Sequence, residues 1–169
     1  MNQDTISFQE LYSRYADDVY RFSCWLSSDA DEAKDITSET FVRVWLAKND
    51  VRIESVKAYL FAIARNLWLK EKRRKNRLSP VDDEIDAEIP DQSTGPDTLT
   101  ELRFDLDKTI KAIQTLPEIE RTVLIMRAQD GLSYEDIAGT AGLTVANVKV
   151  KIFRARAKIY SLIMGEQGE

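Results

Sequence analysis

An all-α fold, two small helical domains joined by a flexible acidic linker, is what the sequence predicts, and three observations predict it. Apolar residues recur at steps of three and four along most of the 169 residues. No stretch alternates with the period of a strand, and one acid-rich segment holding three of the four prolines interrupts the helical pattern near the middle. A chain of this length can bury two modest cores. The implied division is a helical bundle over 1–77, a linker over 78–98 and a helix-turn-helix domain over 99–169.

The first helix follows Ser7, a good N-cap, and its core face is Phe8, Leu11, Tyr12, Tyr15, Val19, Phe22 and Leu26. Asp29 or Asp31 caps a second helix with Ala33, Ile36, Thr37, Thr40, Phe41 and Val44 inward, ending near Lys48 and Asn49. After the connection NDVRIES a third helix starts near Val56, faces the core with Leu60, Ile63, Ala64 and Leu67, and closes in a basic run. From Leu78 to Thr98 the prolines, one glycine and seven acids lack helical periodicity. Leu99, Leu102, Leu106, Ile110, Ile113 and Leu116 then resume it. Pro117 suits the first turn of a helix that runs to about Gln129 and stops at Gly131. Ser133, with Asp136 three residues on, opens a short helix that Gly142 closes, and Thr144 caps the last helix.

Composition removes several function classes. The single Cys24 permits no internal disulfide, and the absence of histidine disfavours the usual structural zinc sites and the commonest general base. Neither a phosphate-binding glycine loop nor a secretory leader is visible, so no metal, cofactor or small-molecule substrate is expected and the cytoplasm is the expected location. A net charge of −5 argues against nucleic acid, but its distribution argues for it. Arg65 to Arg77 holds seven basic residues and one acid, Asp82 to Asp107 ten acids against Arg103, and Thr144 to Met164 five basic residues and no acid.

Ala138, Gly142 and Val148 have the spacing of a tight helix-turn-helix: a small contact residue, a turn glycine and an apolar anchor. On the second of its helices Val145, Val148, Ile152, Ala155, Ile159 and Leu162 form the inner face. Asn147, Lys151, Arg154 and Lys158 line one flank and Lys149 and Arg156 the other, placed to straddle a DNA groove and meet phosphates. Opposite the core stands an apolar ridge of Ala146, Val150, Phe153 and Ala157. It touches thymine methyls, docks a protein, or is buried in a crowded core.

These segments, GLSYEDIAGTAGLTVANVKVKIFRARAKI with DEAKDITSETFVRVW and YLFAIARNLWLKEKRRK, resemble RNA polymerase sigma factors of the extracytoplasmic-function group. The order matches that family's region 2, variable linker and region 4. The resemblance implies a non-enzymatic subunit that joins core RNA polymerase, melts the promoter's minus-ten element and binds the minus-thirty-five element. For the latter it implies Asn147, Lys149, Lys151, Phe153, Arg154, Arg156 and Lys158. For the minus-ten element it implies Arg52 in the 48–55 connection, which corresponds to the loop that captures an unstacked base, and Arg65, Asn66, Lys72, Arg73 and Arg74. Phe61, Arg65, Trp68 and Lys72 share a face that reads as a strand-stacking surface, although Trp68 suits a core better than a platform, since aromatic residues at helical spacing usually pack inside. The basic run also suits a plain helix C-terminus.

On the second helix Asp35, Ser38, Glu39, Val42, Trp45 and Leu46 lie off the buried stripe, and the resemblance assigns them to the clamp helices of the polymerase's largest subunit. Ser38 stands where the family commonly has glutamine, and Lys34 where an acid is frequent. The acidic linker either threads near the polymerase active centre or is plain solvating disorder. Such factors are held inactive by an anti-sigma factor, often membrane-anchored. The competing function is a helix-turn-helix regulator of the response-regulator type, which needs alternating strands and helices where 7–77 offers only helices.

Overall fold

The computed structural model describes residues 6–47, 56–78 and 100–165, and for 100–105 the backbone alone. They form α1 (Phe8–Ser27), α2 (Ala30–Ala47), α3 (Val56–Leu78), α4 (Thr100–Gln114), α5 (Glu118–Ala128), α6 (Tyr134–Ala141) and α7 (Val145–Gly165). No strand occurs among the described residues, and none of the helices is long and apolar enough to cross a membrane. The chain divides into two compact units, 1–89 and 90–169. The connection 48–55 with Arg52, nearly all of the expected linker, and Leu99 lie outside the described residues; Leu78 closes α3.

In the first unit α1, α2 and α3 pack pairwise. The Ser7 hydroxyl accepts from the Glu10 N–H at 3.3 Å while the Glu10 carboxylate accepts from the Ser7 N–H at 3.1 Å, a reciprocal cap that holds this carboxyl below its usual range. Asp29, rather than Asp31, caps α2, its Oδ1 accepting from the Asp31 and Glu32 N–H groups at 2.8 and 3.0 Å. Val19, Phe22, Leu60, Phe61 and Ala64 fill the centre, with the Phe22 and Phe61 rings stacked at 4.3 Å. Asp18 on α1 pairs with Arg21 and with Lys57 of α3, and Lys75 reaches back to Glu32 of α2 at 3.1 Å.

The core of this unit differs from the periodicity on each of its three helices: on α1, Phe8 and Tyr15 are only half buried. Tyr12 is half exposed, and Thr37 is half buried, its hydroxyl donating to the Ala33 carbonyl at 2.7 Å. On α3, Phe61 and Trp68 are buried, whereas Ile63 and Leu67 are only half buried. Packing against both α1 and α2 turns the inward arc of α3 to Val56, Leu60, Phe61, Ala64 and Trp68, so Phe61 and Trp68 do not form a strand-stacking surface. Trp68 is core.

In the second unit α7 packs on α4, α5 and α6. Leu116, Val123, Met126, Ile137, Val148, Ile152 and Ala155 are buried. Pro117 occupies the N-cap of α5, one position ahead of the expected first turn. Gly131, at φ 63°, lets the chain double back so that the Leu132 N–H donates to the Met126 carbonyl at 3.1 Å. The expected stripe of α4 is only partly covered: Leu106 is exposed and Ile110 and Ile113 half buried, because its main neighbour is α7 alone. Leu162, expected inside, is exposed near the end of α7.

Candidate functional site

The helix-turn-helix is α6 and α7. Ser133 Oγ accepts from the Asp136 N–H at 3.0 Å. At the other end of α6 Gly142 takes the left-handed conformation at φ 68°, where the Leu143 N–H returns to the Ala138 carbonyl at 3.0 Å. Thr144 Oγ1 then accepts from the Asn147 N–H at 3.2 Å and starts α7. Ala138 and Val148 are both buried, so the small residue, turn glycine and anchor fix the angle between the two helices.

Outward from that anchor, Asn147, Lys149, Arg154 and Arg156 are exposed and Lys151 is half buried. The opposing ridge is open: Val150 is exposed, and Phe153 keeps 74% of its surface in solvent. A crowded core burying both sides of α7 is therefore ruled out. The ridge also runs further than Ala157, since Tyr160 and Met164 continue it at the same steps and are exposed.

Two contacts in this unit have no sequence signature, because their partners lie on different helices. Lys158 donates to Glu120 of α5 at 2.8 Å, and the Glu120 carboxylate is almost wholly enclosed. Tyr134, at the first turn of α6, carries the Arg127 guanidinium 4.4 Å and the Lys149 ammonium 5.3 Å from its ring centre. Arg127 also donates to the Leu132 carbonyl at 2.9 Å. Tyr134 thus lies beside Lys149 of the second helix. On α5, burial pulls the Arg121 guanidinium below its ordinary range, opposed by Glu118.

In the first unit Asn66, Lys72, Arg73 and Arg74 are exposed along the outer side of α3, and Arg65 is half buried. The Lys72 ammonium lies 4.8 Å from the centre of the Trp68 ring, so the buried indole positions a cation at the surface. Arg74 grips Glu71 with two hydrogen bonds of 3.0 and 2.6 Å, which raises the guanidinium's affinity for its proton and lowers that of the carboxylate. On α2 Asp35, Ser38, Glu39, Val42, Trp45 and Leu46 are all exposed, with Trp45 at 61% and Leu46 at 70%. Glu39 pairs with Arg43 at 3.1 Å. The two sets meet, since Glu39 and Arg43 line an open groove with Arg73 and Arg74.

Among the described residues no three potential metal-ligating side chains cluster. The arrangement offers surfaces for macromolecules: a basic helix with an apolar crest in one unit, and cationic and acidic-apolar faces side by side in the other.

Residues 11–78 match the family described as sigma-70 region 2, and residues 106–159 the family described as sigma-70 region 4. The RNA polymerase sigma-H factor of Pseudomonas aeruginosa is 32% identical over 166 residues, covering 92% of this chain and 86% of that protein. The ECF RNA polymerase sigma factor SigE of Mycolicibacterium smegmatis is 29% identical over 168 residues; 96% of this chain aligns, spanning 64% of that longer relative. Among solved structures, the sigma factor RpoE of Bartonella quintana, crystallised with the anti-sigma factor NepR, superimposes with a TM-score of 0.74. It shares 27% identity over 93% of this chain and 96% of that one. With both regions matched in order, the chain belongs to the extracytoplasmic-function group of RNA polymerase sigma factors, which are non-enzymatic factors of transcription initiation.

Proposed function

We propose that the chain is an alternative sigma factor that binds core RNA polymerase through α2 and contacts promoter DNA through α3 and α7. The observation that carries this reading is the α7 surface: a basic, acid-free helix mounted on a helix-turn-helix with its outer face open. Asn147, Lys149, Lys151, Arg154 and Arg156 meet the minus-thirty-five element, chiefly its phosphates. Lys158 is better read as a clamp on Glu120 than as a phosphate contact. Arg65, Asn66, Lys72, Arg73 and Arg74, with Arg52, serve the minus-ten element, where a melted strand needs cations along its path. Asp35, Ser38, Glu39, Val42, Trp45 and Leu46 form the polymerase face, exposed apolar groups within a charged rim.

Val150 and Phe153 are available to thymine methyls when promoter DNA is bound. The same ridge suits an anti-sigma factor, the class of partner bound to the Bartonella relative, and a protein seated there blocks the groove-reading helix. We place the factor in the cytoplasm beside polymerase and chromosome, with an anti-sigma partner that reaches it from solution or from a membrane anchor.

Purified core polymerase plus this chain, assayed on a genomic promoter library, should yield defined transcripts; none would overturn the reading. Arg154→Ala should weaken minus-thirty-five binding and reduce its salt slope by about 1 while leaving polymerase association intact. Glu39→Lys should do the reverse. Loss of the same activity in both variants would contradict the assignment of faces.

A further inference from the structure

We infer that the groove between α2 and α3 is a binding site for a short free polyphosphate, the phosphoanhydride chain shared by nucleoside polyphosphates and inorganic polyphosphate. This goes beyond the promoter and polymerase contacts above and does not depend on them. The groove is open and about 490 Å³ in volume, within the range of small-ligand sites. Arg43 of α2 and Lys70, Arg73, Arg74 and Arg77 of α3 line it, together with the carboxylates of Glu39 and Glu71. Arg43 is held by Glu39 at 3.1 Å, and Arg74 by Glu71. Lys70, Arg73 and Arg77 are exposed and take part in no ion pair among the described residues.

Those three residues advance along α3 in steps of three and four, so they stand on one side of the helix over about 10 Å of its axis. Lys70 and Arg74, like Arg73 and Arg77, are four residues apart, a spacing at which like charges destabilise a helix. The dipole at the end of α3 offsets part of that repulsion, and a multivalent anion seated across the row removes more of it. Phosphate is the anion that fits, since a planar guanidinium meets its oxygens two at a time. The groove also bounds the length of its occupant. Asp35, Glu39 and Arg43 follow one another at steps of four on α2 and both acids are exposed, so a nucleic acid strand continuing along α2 runs into carboxylates. A short polyphosphate stays on the α3 row, with Arg43 as its contact across the groove. Leu67, half buried in the groove wall, offers an apolar seat to a base when the phosphates carry a nucleoside.

Titration calorimetry of the full chain with sodium tripolyphosphate, ATP and GTP in turn, at about 0.15 M salt, tests the site. At least one probe should saturate a single site with a Kd below about 1 mM. Equal affinity for all three shows that the inorganic chain suffices, and tighter binding of a nucleotide shows that the base is held as well. Lys70→Ala, Arg77→Ala and Arg43→Ala should each weaken binding about threefold or more, whereas Glu71→Gln, which releases Arg74, should tighten it about threefold. Damage to the fold cannot produce that gain. Arg21→Ala, on α1 and outside the groove, should bind as the parent does. The inference is overturned if no probe shows saturable binding, or if Glu71→Gln loses affinity. It is overturned equally if Arg43→Ala binds as tightly as the parent, which leaves only a basic helix, or if Arg21→Ala loses as much as the groove variants, which marks a general effect of charge. Because Arg73 and Arg74 also serve the proposed minus-ten face, a bound probe should lower capture of a minus-ten strand by the holoenzyme. If the free chain binds the probe and capture is unchanged, the minus-ten assignment of Arg73 and Arg74 falls while the polyphosphate site stands.

Discussion

Lys158 sits on the basic flank of α7, yet its ammonium meets a carboxylate of the interior. Glu120 is enclosed between α5 and α7, so deleting the lysine leaves an almost fully buried charge without its 2.8 Å partner. Lys158→Ala should cost about 1–3 kcal/mol in chemical denaturation, and adding Glu120→Leu should return most of it. The salt dependence of promoter binding should stay that of the parent. A drop of about one in that slope would instead make Lys158 a phosphate contact. Sequence alone places Lys158 correctly on its flank, because helical periodicity reports direction. It does not reveal Glu120, thirty-eight positions earlier and on another helix.

At the scale of elements, the caps were the most legible feature. Ser7, Asp29, Ser133, Gly142 and Thr144 act through bonds to residues within a few positions, so local sequence suffices to place them. The inward face of α3 was less legible: one helix between two neighbours buries an arc that its own periodicity does not define, and so Phe61 lies in the core rather than on the surface, while Trp68 is core as helical spacing favoured. The exposed sets on α2 and α7 were readable as the complement of well-defined buried stripes. The edge-on contacts of Phe8 with Phe41 and Trp45, and of Tyr12 with Phe41, were not, since Phe8 and Tyr12 carry the same periodic signal as ordinary core residues. Two glycines of α6 separate conformation from space, as a Cβ at either would meet nothing within 4 Å. Gly142→Ala should therefore lose about 1–2 kcal/mol from its left-handed backbone alone. Gly139→Ala, inside the helix, should gain about 0.5–1 kcal/mol. Denaturation of the two variants checks both signs, and equal signs would contradict the argument.

For the whole molecule, a net charge of −5 conceals two basic faces, one in each compact unit. Because the partners implied for those faces are polyanions, the distribution of charge decides more than its sum. The same distribution bears on the open crest of α7. Ala146, Val150, Phe153, Ala157, Tyr160 and Met164 advance in alternating steps of four and three, the beat of a zipper seam, for five turns of helix. Lys149, Arg154 and Arg156 border that seam, with no acid among them. Two copies laid seam to seam would set like charges against each other, so repulsion opposes that pairing. That restraint should fail in concentrated salt. At about 1 M, where charges are felt over only about 3 Å, sedimentation should show reversible dimers that vanish on dilution into low salt and are absent in Phe153→Asp. A mass that ignores salt would show that the seam has no tendency to pair. Salt-dependent dimers, in contrast, would mean that ionic strength sets the oligomeric state of the isolated factor, and that in dilute buffer its electrostatics reserve the seam for a partner of opposite charge.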